Sequence, residues 1–406
     1  MRIIVLGAGI IGATTAYTLA VEGHDVLVLD RQPESGLETS FANGGLVTPA
    51  TSDSWAAPGT PTKILKWLGK DDAPMLLRLS AIPGMFRWGL SFLANCREAA
   101  WRENTRAILA LALDSLAELQ RIVDVENLSY DRNQTGLLKI FRSSGSMEAT
   151  LRAAKLYEEL GVSVKRLTTK ETIEKEPALS AISDKISGAV FYPGDESGDA
   201  FKFTQEISAA AIKRGVEFKF NCDINELIRN GDKIEAVKTN CGLISGDAFI
   251  LSLGSYSSIL AKTANVMLPI YPAKGYSISV DIPGWNEAPK IPIADDEFKV
   301  AVAPLGDRLR VAGTVEFAGY DQTLNKTRGQ MLETNLAAIL PNYPRGDIKH
   351  WAGLRPMTPS GKPIIGSVGL KNLFVNSGHG PLGWTLAAGS ARLVAQFISN
   401  MKNLRG

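Results

Sequence analysis

Residues 1–30 read MRIIVLGAGIIGATTAYTLAVEGHDVLVLD. The continuous apolar run at 2–6 is typical of a strand that is buried on both faces. Residues 13–22 carry small and apolar side chains at helical spacing and are followed by a glycine, so they predict a helix with a glycine C-cap. A second apolar run at 25–29 ends at Asp30. This order predicts a β-α-β unit at the start of the chain.

The first strand and the helix are joined by a glycine-rich turn at 7–12. Gly7 permits the tight turn, Gly9 lets the backbone approach a pyrophosphate, and Gly12 lets the helix pack close to the sheet. The helix N-terminus offers N–H groups and a positive dipole end to phosphates. Asp30, at the end of the second strand, is placed to accept hydrogen bonds from both ribose hydroxyls of an adenosine. The pattern predicts a dinucleotide site, but by itself it does not distinguish FAD from NAD.

Two further glycine-dense segments favour FAD. The loop at 38–45, ETSFANGG, follows the β-α-β unit where a simple NAD enzyme continues with alternating strands and helices. The segment at 377–384, SGHGPLGW, opens the last predicted helix and offers a second helix N-terminus, suited to the pyrimidine carbonyl and N1 of a reduced flavin. His379, between two glycines, is more readily interpreted as a residue packed beside the flavin than as a general base.

Composition excludes other classes of protein. Lys and Arg (44) nearly balance Asp and Glu (42), which argues against a nucleic-acid scaffold. Three scattered cysteines indicate a reduced compartment, and three histidines without metal spacing predict no metal site. The N-terminal apolar run is too short for a signal sequence, and no run is long enough to span a membrane. We therefore expect a cytoplasmic protein.

Beyond the first unit, the pattern predicts a mixed α/β fold with a parallel nucleotide-binding sheet and an antiparallel sheet. Residues 73–96 contain three helix breakers and predict short helices. Longer helices are predicted at 104–123, 146–159, 203–214 and 384–399. Short strands are predicted at 188–192, 216–220, 233–239, 248–252, 276–280, 300–303, 309–312 and 373–376.

Three side chains late in the chain are candidates for the substrate site. Arg355 is followed by two prolines in WAGLRPMTPSG, so a stiff backbone would present its planar guanidinium to a carboxylate. An Arg that bonds nearby carbonyls or a buried acid is an equal alternative. Tyr276 would line a pocket or donate to a substrate carboxylate, but a half-buried strand aromatic is at least as good an interpretation. Lys274 is predicted to be a solvated or cofactor-side charge.

Several motifs together carry a resemblance to a known family. The chain resembles the D-amino-acid dehydrogenase small subunits, within the wider D-amino-acid oxidase and sarcosine oxidase group of flavoproteins. The resemblance extends over nearly the whole chain and rests on the motifs VLGAGIIG (5–12), LDR (29–31), LETSFANGG (37–45), WAAPG (55–59), KGYS (274–277), GLRPMTP (353–359) and NSGHGPLGWT (376–385).

The resemblance implies a Rossmann-like FAD-binding domain that is interrupted in sequence by an α+β substrate domain with a mixed or antiparallel sheet. The division predicted on this basis assigns residues 1–85, 187–270 and 346–406 to the FAD-binding domain. Residues 86–186 and 271–345 form the substrate-binding domain.

The resemblance also assigns roles to individual residues. By match to GLRPMTP, the resemblance implies that Arg355 holds the substrate carboxylate, and Arg355 and Tyr276 are the predicted catalytic residues. The predicted FAD contacts are Gly7, Gly9, Ile10, Ile11, Gly12, Asp30, Arg31, Ser40, Asn43, Gly44, Gly45, Leu46, Gly254, Gly353, Gly378, His379, Gly380, Leu382, Gly383, Trp384 and Thr385. Phe41 and the stretch 45–47 depart from the family's Ala and Gly-Gln-Ile in a loop expected near the reactive face of the flavin, where substrate size is decided.

The activity implied is oxidative deamination of a D-amino acid to a 2-oxo acid and ammonia. We expect hydride transfer from Cα to the flavin N5, with electrons passing to a quinone or dye and with peripheral contact at the inner membrane. Alternatives are oxidation of sarcosine, glycine, D-proline or D-hydroxyproline, and a non-catalytic flavin-carrying relay subunit. An NAD-linked reductase is a third, weaker alternative, and the oligomeric state, a homo-oligomer included, stays open.

Overall fold

A computed structural model of the chain describes residues 1–70 and 73–403. The α-helices of this part of the chain are α1 (Ile10–Val21), α2 (Thr60–Trp67), α3 (Ile82–Asn95), α4 (Glu98–Glu126), α5 (Ser144–Glu158), α6 (Thr169–Lys175), α7 (Ala200–Lys213), α8 (Ser257–Thr263), α9 (Lys326–Ile339) and α10 (Gly383–Asn403). The strands are β1 (Arg2–Leu6), β2 (Asp25–Leu29), β3 (Leu46–Val47), β4 (Met75–Leu77), β5 (Leu137–Phe141), β6 (Lys165–Leu167), β7 (Gly188–Tyr192), β8 (Glu196–Ser197), β9 (Glu217–Lys219), β10 (Ile224–Asn230), β11 (Lys233–Thr239), β12 (Gly242–Ser245), β13 (Ala248–Leu251), β14 (Tyr271–Asp281), β15 (Ile293–Asp295), β16 (Val300–Leu305), β17 (Arg308–Phe317), β18 (Ile348–Met357), β19 (Ile364–Ser367) and β20 (Leu373–Ser377).

The predicted β-α-β unit forms the centre of a six-stranded sheet. Its strand order is β19-β20-β13-β1-β2-β9, parallel throughout except for β19. In β1, Ile3 and Val5 pack on the side of α1 and α10, whereas Ile4 and Leu6 pack on the side of α8 and the β10-β11-β12 sheet. The prediction of a strand buried on both faces is therefore confirmed.

The second large sheet has nine strands and is mainly antiparallel. Its order is β18-β14-β17-β16-β15-β5-β7-β6, with β4 pairing to β17. One face packs against α9 through residues such as Leu332 and Leu336, and the other face packs against α3 through Trp88 and Phe92. The predicted fold class, mixed α/β with a parallel and an antiparallel sheet, is confirmed.

Three strands bear on the predicted domain boundaries. Strands β4, β7 and β18 belong to the nine-stranded sheet, although the division assigns residues 1–85, 187–270 and 346–406 to the FAD-binding domain. Sheet membership favours moving these strands to the substrate-binding domain. The division itself stays a proposal.

The prediction of short helices at residues 73–96 was wrong in part. This stretch forms β4, a short 3-10 turn and then the fourteen-residue helix α3. The second breaker, Pro83, lies in the first turn of α3. A proline there removes an N–H that has no partner inside the helix, so it starts the helix and does not interrupt it.

Candidate active site

The turn between β1 and α1 needs glycine at both ends. Gly7 has a φ of +105°, and a Cβ at this position would lie 2.6 Å from the Ser252 carbonyl oxygen. A Cβ on Gly12 would lie 1.8 Å from the Gly7 carbonyl oxygen, so any side chain would force α1 away from β1. The first turn of α1 carries no acidic side chain, which leaves its positive dipole end open to an anion.

Asp30 closes this turn from the end of β2. Its carboxylate accepts hydrogen bonds from the Ala8 N–H at 2.6 Å and from the Gln32 N–H at 2.8 Å. Burial raises the pKa of Asp30. An ionised carboxylate has about four acceptor positions, so two remain for hydroxyl donors of a ligand. The next residue, Arg31, forms an ion pair with Glu38 at 2.6 Å.

The loop at 38–45 is held to α1 and to β18 by hydrogen bonds. Ser40 Oγ accepts from the Ile10 N–H at 3.0 Å, so the loop supplies a cap that the α1 N-terminus otherwise lacks. On the other side, Thr39 Oγ1 donates to the Leu354 carbonyl at 3.0 Å. These bonds fix the loop between the glycine turn and β18.

A narrow cavity of about 230 Å³ follows the glycine turn. It is bounded by β1, β2, β13, the loop at 38–45 and the start of α10. Most of the residues predicted to bind the dinucleotide line it: Gly7, Gly9, Ile10, Ile11, Asp30, Arg31, Ser40, Asn43, Gly254, His379, Gly380, Gly383 and Trp384.

Four buried polar atoms of residues that line this narrow cavity have no hydrogen-bond partner among the described residues. They are Ser252 Oγ, Asn376 Oδ1, His379 Nε2 and Trp384 Nε1. Buried polar groups are almost always hydrogen-bonded in folded proteins. The cavity therefore fits a large polar ligand, such as a dinucleotide, that supplies the missing partners.

His379, in the glycine-dense segment at 377–384, is only 2% exposed. Burial lowers its pKa to about 3, so the imidazole is neutral at physiological pH. A neutral, fully buried ring suits packing beside a cofactor better than proton transfer to solvent. Contact between His379 and the flavin stays a prediction.

A wide cavity of about 850 Å³ adjoins the narrow one, and both are lined by Thr39, Asn43 and Gly380. A ligand in the narrow cavity and a second ligand in the wide cavity would meet at these three residues. The other predicted residues that line the wide cavity are Gly44, Leu46, Tyr276, Gly353, Arg355, Leu382 and Thr385. Gly12, Gly45 and Gly378 line neither cavity; Gly45 and Gly378 hold positive φ angles of +76° and +85°.

Arg355 projects from β18 over the backbone of the neighbouring strand. A Cβ on Gly275 would lie 2.4 Å from Arg355 Cζ, so the guanidinium occupies the space above this glycine. Arg355 Nη1 donates to the Thr314 carbonyl at 3.0 Å. Burial lowers the pKa of Arg355 to about 10, which still keeps it charged at neutral pH. Since a guanidinium has five N–H donors, further donors remain for an anion in the wide cavity.

Tyr276 lies on the opposite face of the same sheet. Along β14 the residues alternate, so that Gly275 shares a face with Arg355 while Tyr276 points toward α9 and packs in the core with Ile278. The Tyr276 hydroxyl donates a short hydrogen bond to the buried Glu316. Tyr276 therefore lines the wide cavity, but the structure does not bring its hydroxyl beside Arg355.

The position of Lys274 also differs from the prediction, again because side chains alternate between the two faces along β14. It is 1% exposed, and its Nζ lies 3.0 Å from Asp321 and 3.5 Å from Glu316. It lines neither cavity. The prediction of a solvated or cofactor-side charge was wrong, because the alternation of β14 turns Lys274 to the α9 face together with Tyr276.

Sequence reasoning missed several polar residues of the two cavities. Thr39 was inside a recognised motif but was not singled out. Ser252 follows the carboxyl end of β13, an edge of a parallel sheet where ligands usually bind, so its position could have been found from the strand prediction. Thr314 has no such signal, because its position depends on how β17 pairs with β14.

The sequence model of a protein family described as FAD dependent oxidoreductase matches residues 2–397 of this chain. The chain belongs to this family. The cofactor of this family is FAD. The buried polar atoms at the narrow cavity that lack a hydrogen-bond partner in the described part of the chain fit that cofactor. The preference for FAD over NAD that the two glycine-dense segments indicated is confirmed.

Among curated proteins, relatives of this FAD-dependent oxidoreductase have the name D-amino acid dehydrogenase. The chain is 42% identical over 403 residues to the one from Paramagnetospirillum magneticum, covering 98% of this chain and 95% of that protein. It is 41% identical to the one from Allorhizobium ampelinum, covering 98% and 95% of the two chains. The resemblance inferred from the motifs is confirmed.

Solved structures share the fold at low sequence identity. L-proline dehydrogenase from P. horikoshii has a TM-score of 0.78 at 18% identity, covering 98% of this chain and 93% of that chain. Glycine oxidase from Geobacillus kaustophilus has a TM-score of 0.77 at 20% identity, covering 98% and 95%. At these identities the likeness concerns the fold alone.

Proposed function

We propose that this FAD-dependent oxidoreductase deaminates D-amino acids oxidatively to 2-oxo acids and ammonia, and passes the electrons to a quinone or another acceptor. The observation that carries the proposal is the position of Arg355. Its charged guanidinium lines a wide cavity that meets the narrow cofactor cavity at Thr39, Asn43 and Gly380. The relatives at 42% and 41% identity carry the name D-amino acid dehydrogenase, which supports the same substrate class.

In this proposal the protein contributes orientation and exclusion of water. Arg355 binds the substrate carboxylate through paired hydrogen bonds and so fixes the position of Cα. When bound, FAD would supply the two-electron oxidant that removes the hydride from Cα. The substrate amine is neutral in this step, and its lone pair forms the C=N bond as the hydride leaves. Water then hydrolyses the imino acid to the 2-oxo acid and ammonia.

No side-chain base is required on this path. His379 is neutral but fully buried, and Tyr276 is bonded to Glu316 on the far face of the sheet. Apolar residues, among them Trp88 and Phe92, line much of the wide cavity and keep bulk water from the reacting carbon.

The proposal is tested by adding D- and L-amino acids to the FAD-loaded enzyme without oxygen and following flavin absorbance. Bleaching by D-isomers alone is expected. Faster bleaching by sarcosine, D-proline or D-hydroxyproline than by D-alanine would support the amine-oxidoreductase alternative. A yellow protein that no amine bleaches would support a flavin-carrying relay subunit.

We also propose peripheral contact with an anionic membrane through the outer sides of α2 and α3. We call this the apolar surface; it consists of Leu65, Leu68, Leu79, Ile82, Phe86, Leu90 and Leu93, which are between 38% and 75% exposed. Contiguous exposed apolar patches on soluble proteins usually mark an interaction site. On α3 the spacing of these residues places them on one side, opposite Trp88 and Phe92 in the core.

Charge and position favour lipid as the partner of the apolar surface. The segment 60–97 carries six Lys or Arg residues and two Asp residues, an excess that attracts anionic headgroups. Four residues of the surface, from Ile82 to Leu93, also line the wide cavity. A lipid-soluble acceptor would then have a direct path from the bilayer to the cavity. Within the described residues, no helix has the length and apolarity needed to cross a bilayer.

A further inference from the structure

A β-bulge in β17 lies next to Arg355. In the pairing of β14 with β17, Gly275 is opposite Val315 and Tyr276 is opposite Gly313, so Thr314 has no partner residue. A bulge bends the strand and re-aims the side chain of the extra residue, and bulges are common beside active sites. Here the extra residue is turned to the face that carries the wide cavity.

Thr314 has a backbone conformation that its residue type rarely adopts. Its φ is +54°, in the left-handed region. The other described non-glycine residues with positive φ are four Asn or Asp residues and one Lys. A β-branched residue in this region is a strained outlier, and such strain persists where the surrounding structure holds it. The ladder on both sides of the bulge and the bond from Arg355 Nη1 to the Thr314 carbonyl hold it in this case.

The Thr314 hydroxyl is buried but unpaired. Thr314 is 6% exposed and lines the wide cavity, and Oγ1 has no hydrogen-bond partner among the described residues. A hydroxyl donates one hydrogen bond and accepts two. Leaving it without a partner destabilises the protein, so an unpaired hydroxyl on a residue that lines a ligand cavity points to a partner supplied by the ligand.

We propose that Thr314 is a substrate-binding residue whose hydroxyl donates a hydrogen bond to the carboxylate that Arg355 holds. Thr314 then has two roles in carboxylate binding: its carbonyl orients the Arg355 guanidinium, and its hydroxyl binds the carboxylate itself. This inference rests on the proposed function, since it assumes that Arg355 receives a carboxylate. It adds a second carboxylate ligand from a strand that sequence motifs do not mark.

The test compares Thr314→Val with Thr314→Ser in the FAD-loaded enzyme. Valine keeps the branched shape but removes the hydroxyl, whereas serine keeps the hydroxyl. We expect Thr314→Val to raise KM for D-alanine and the Kd of benzoate by about 10- to 100-fold, the usual loss for one hydrogen bond to a charged group. Benzoate binding is measured through the change in flavin absorbance. kcat should change by less than about threefold, because the bond is made in the ground state and in the transition state alike. Thr314→Ser should stay within about threefold of wild type.

Two controls separate binding from folding. Thr334→Val removes an exposed helix hydroxyl and should change neither constant. Thr314→Gly relieves the strained φ, so its Tm should be unchanged or higher while benzoate affinity falls as in Thr314→Val. Wild-type KM and Kd in Thr314→Val, or equal losses in the valine and serine variants, would overturn the inference.

Failure of the proposed function has a different signature. If no D-amino acid bleaches the flavin, the proposed reaction is wrong, but benzoate binding still reports on Thr314. If Arg355→Met loses benzoate affinity while Thr314→Val keeps it, only the role of Thr314 is wrong.

Discussion

Arg355 illustrates how a single residue acquires a role from its surroundings. The Gly275 backbone leaves room for its guanidinium, and the Thr314 carbonyl takes one of its donors. Burial without a neighbouring carboxylate among its described hydrogen-bond partners leaves a charge that an anionic ligand would neutralise.

Replacing this side chain should mainly weaken binding of the carboxylate. We expect Arg355→Met to raise KM for D-amino acids roughly 30- to 1000-fold, the equivalent of about 2 to 4 kcal/mol for a lost buried charge contact. Arg355→Lys keeps the charge but not the planar pair of donors, so its KM should lie between those of the wild type and Arg355→Met. Near-normal steady-state kinetics in Arg355→Met would contradict the assigned substrate class.

The lowered pKa of His379 predicts that the stability of the protein depends on pH. Its folded-state pKa of about 3 lies below the ordinary value of 6.5, so below about pH 6.5 the unfolded chain binds a proton that the folded protein does not. Its contribution to stability is therefore complete above that pH and is lost as the pH falls toward 3, by up to about 1.4 kcal/mol per pH unit.

His379→Asn removes this titration. In urea unfolding of the FAD-loaded protein, the wild type should lose more stability than the variant between about pH 7 and about pH 5. A difference in unfolding free energy that is constant across this range would show that His379 does not titrate in this way.

At the scale of elements, the contact between β1 and α1 is the least tolerant of change. A methyl group on Gly12 would lie 1.8 Å from the carbonyl oxygen of Gly7 and 2.9 Å from its carbonyl carbon, and these backbone atoms cannot rotate away as a side chain could. We expect Gly12→Ala to lower the unfolding free energy by about 1 to 3 kcal/mol or more and to reduce FAD content. Tm and the flavin-to-protein absorbance ratio measure both effects.

Gly59→Ala is the matched control for this change. Gly59 precedes α2 with a φ of −83°, and a Cβ there meets nothing within 4 Å. Its Tm and FAD content should match the wild type within error. Full FAD content in Gly12→Ala would mean that α1 can shift without damage to the site.

At the scale of the whole molecule, the apolar surface has a measurable consequence. Leu65→Ser with Leu79→Ser removes two side chains of the surface that line neither cavity. Binding to vesicles of phosphatidylglycerol and phosphatidylethanolamine should weaken at least about tenfold, because each buried leucine contributes about 1.5 to 3 kcal/mol. Turnover with a water-soluble dye should not change.

Leu243→Ser, at an exposed leucine of β12, controls for a general loss of surface apolarity. Neutral phosphatidylcholine vesicles should bind less well than anionic ones, because the basic residues contribute to the attraction. A concentration-dependent dimer that the double variant abolishes would instead identify a second copy of the chain as the partner of this surface.

The elements themselves were largely predictable. Strands such as β1, β2 and β20 and helices such as α4 and α7 follow from apolar periodicity that a local window contains. The errors fall where context decides: Pro83 begins a helix because it lies in the first turn, and Lys274 is buried because its strand alternates toward α9. Neither fact can be inferred from the neighbouring residues alone.

By itself, the sequence determined the glycine turn, Asp30 and a dinucleotide as the class of ligand, because the requirement for glycine at 7 and 12 is local to thirty consecutive residues. Only the tertiary structure decided which side chains line the wide cavity. Arg355, Gly275 and Thr314 come from three strands whose relation depends on register and on one bulge. A shift of one residue turns a side chain to the other face of a sheet, which is why the Tyr276 hydroxyl and the Arg355 guanidinium lie on opposite faces of one sheet.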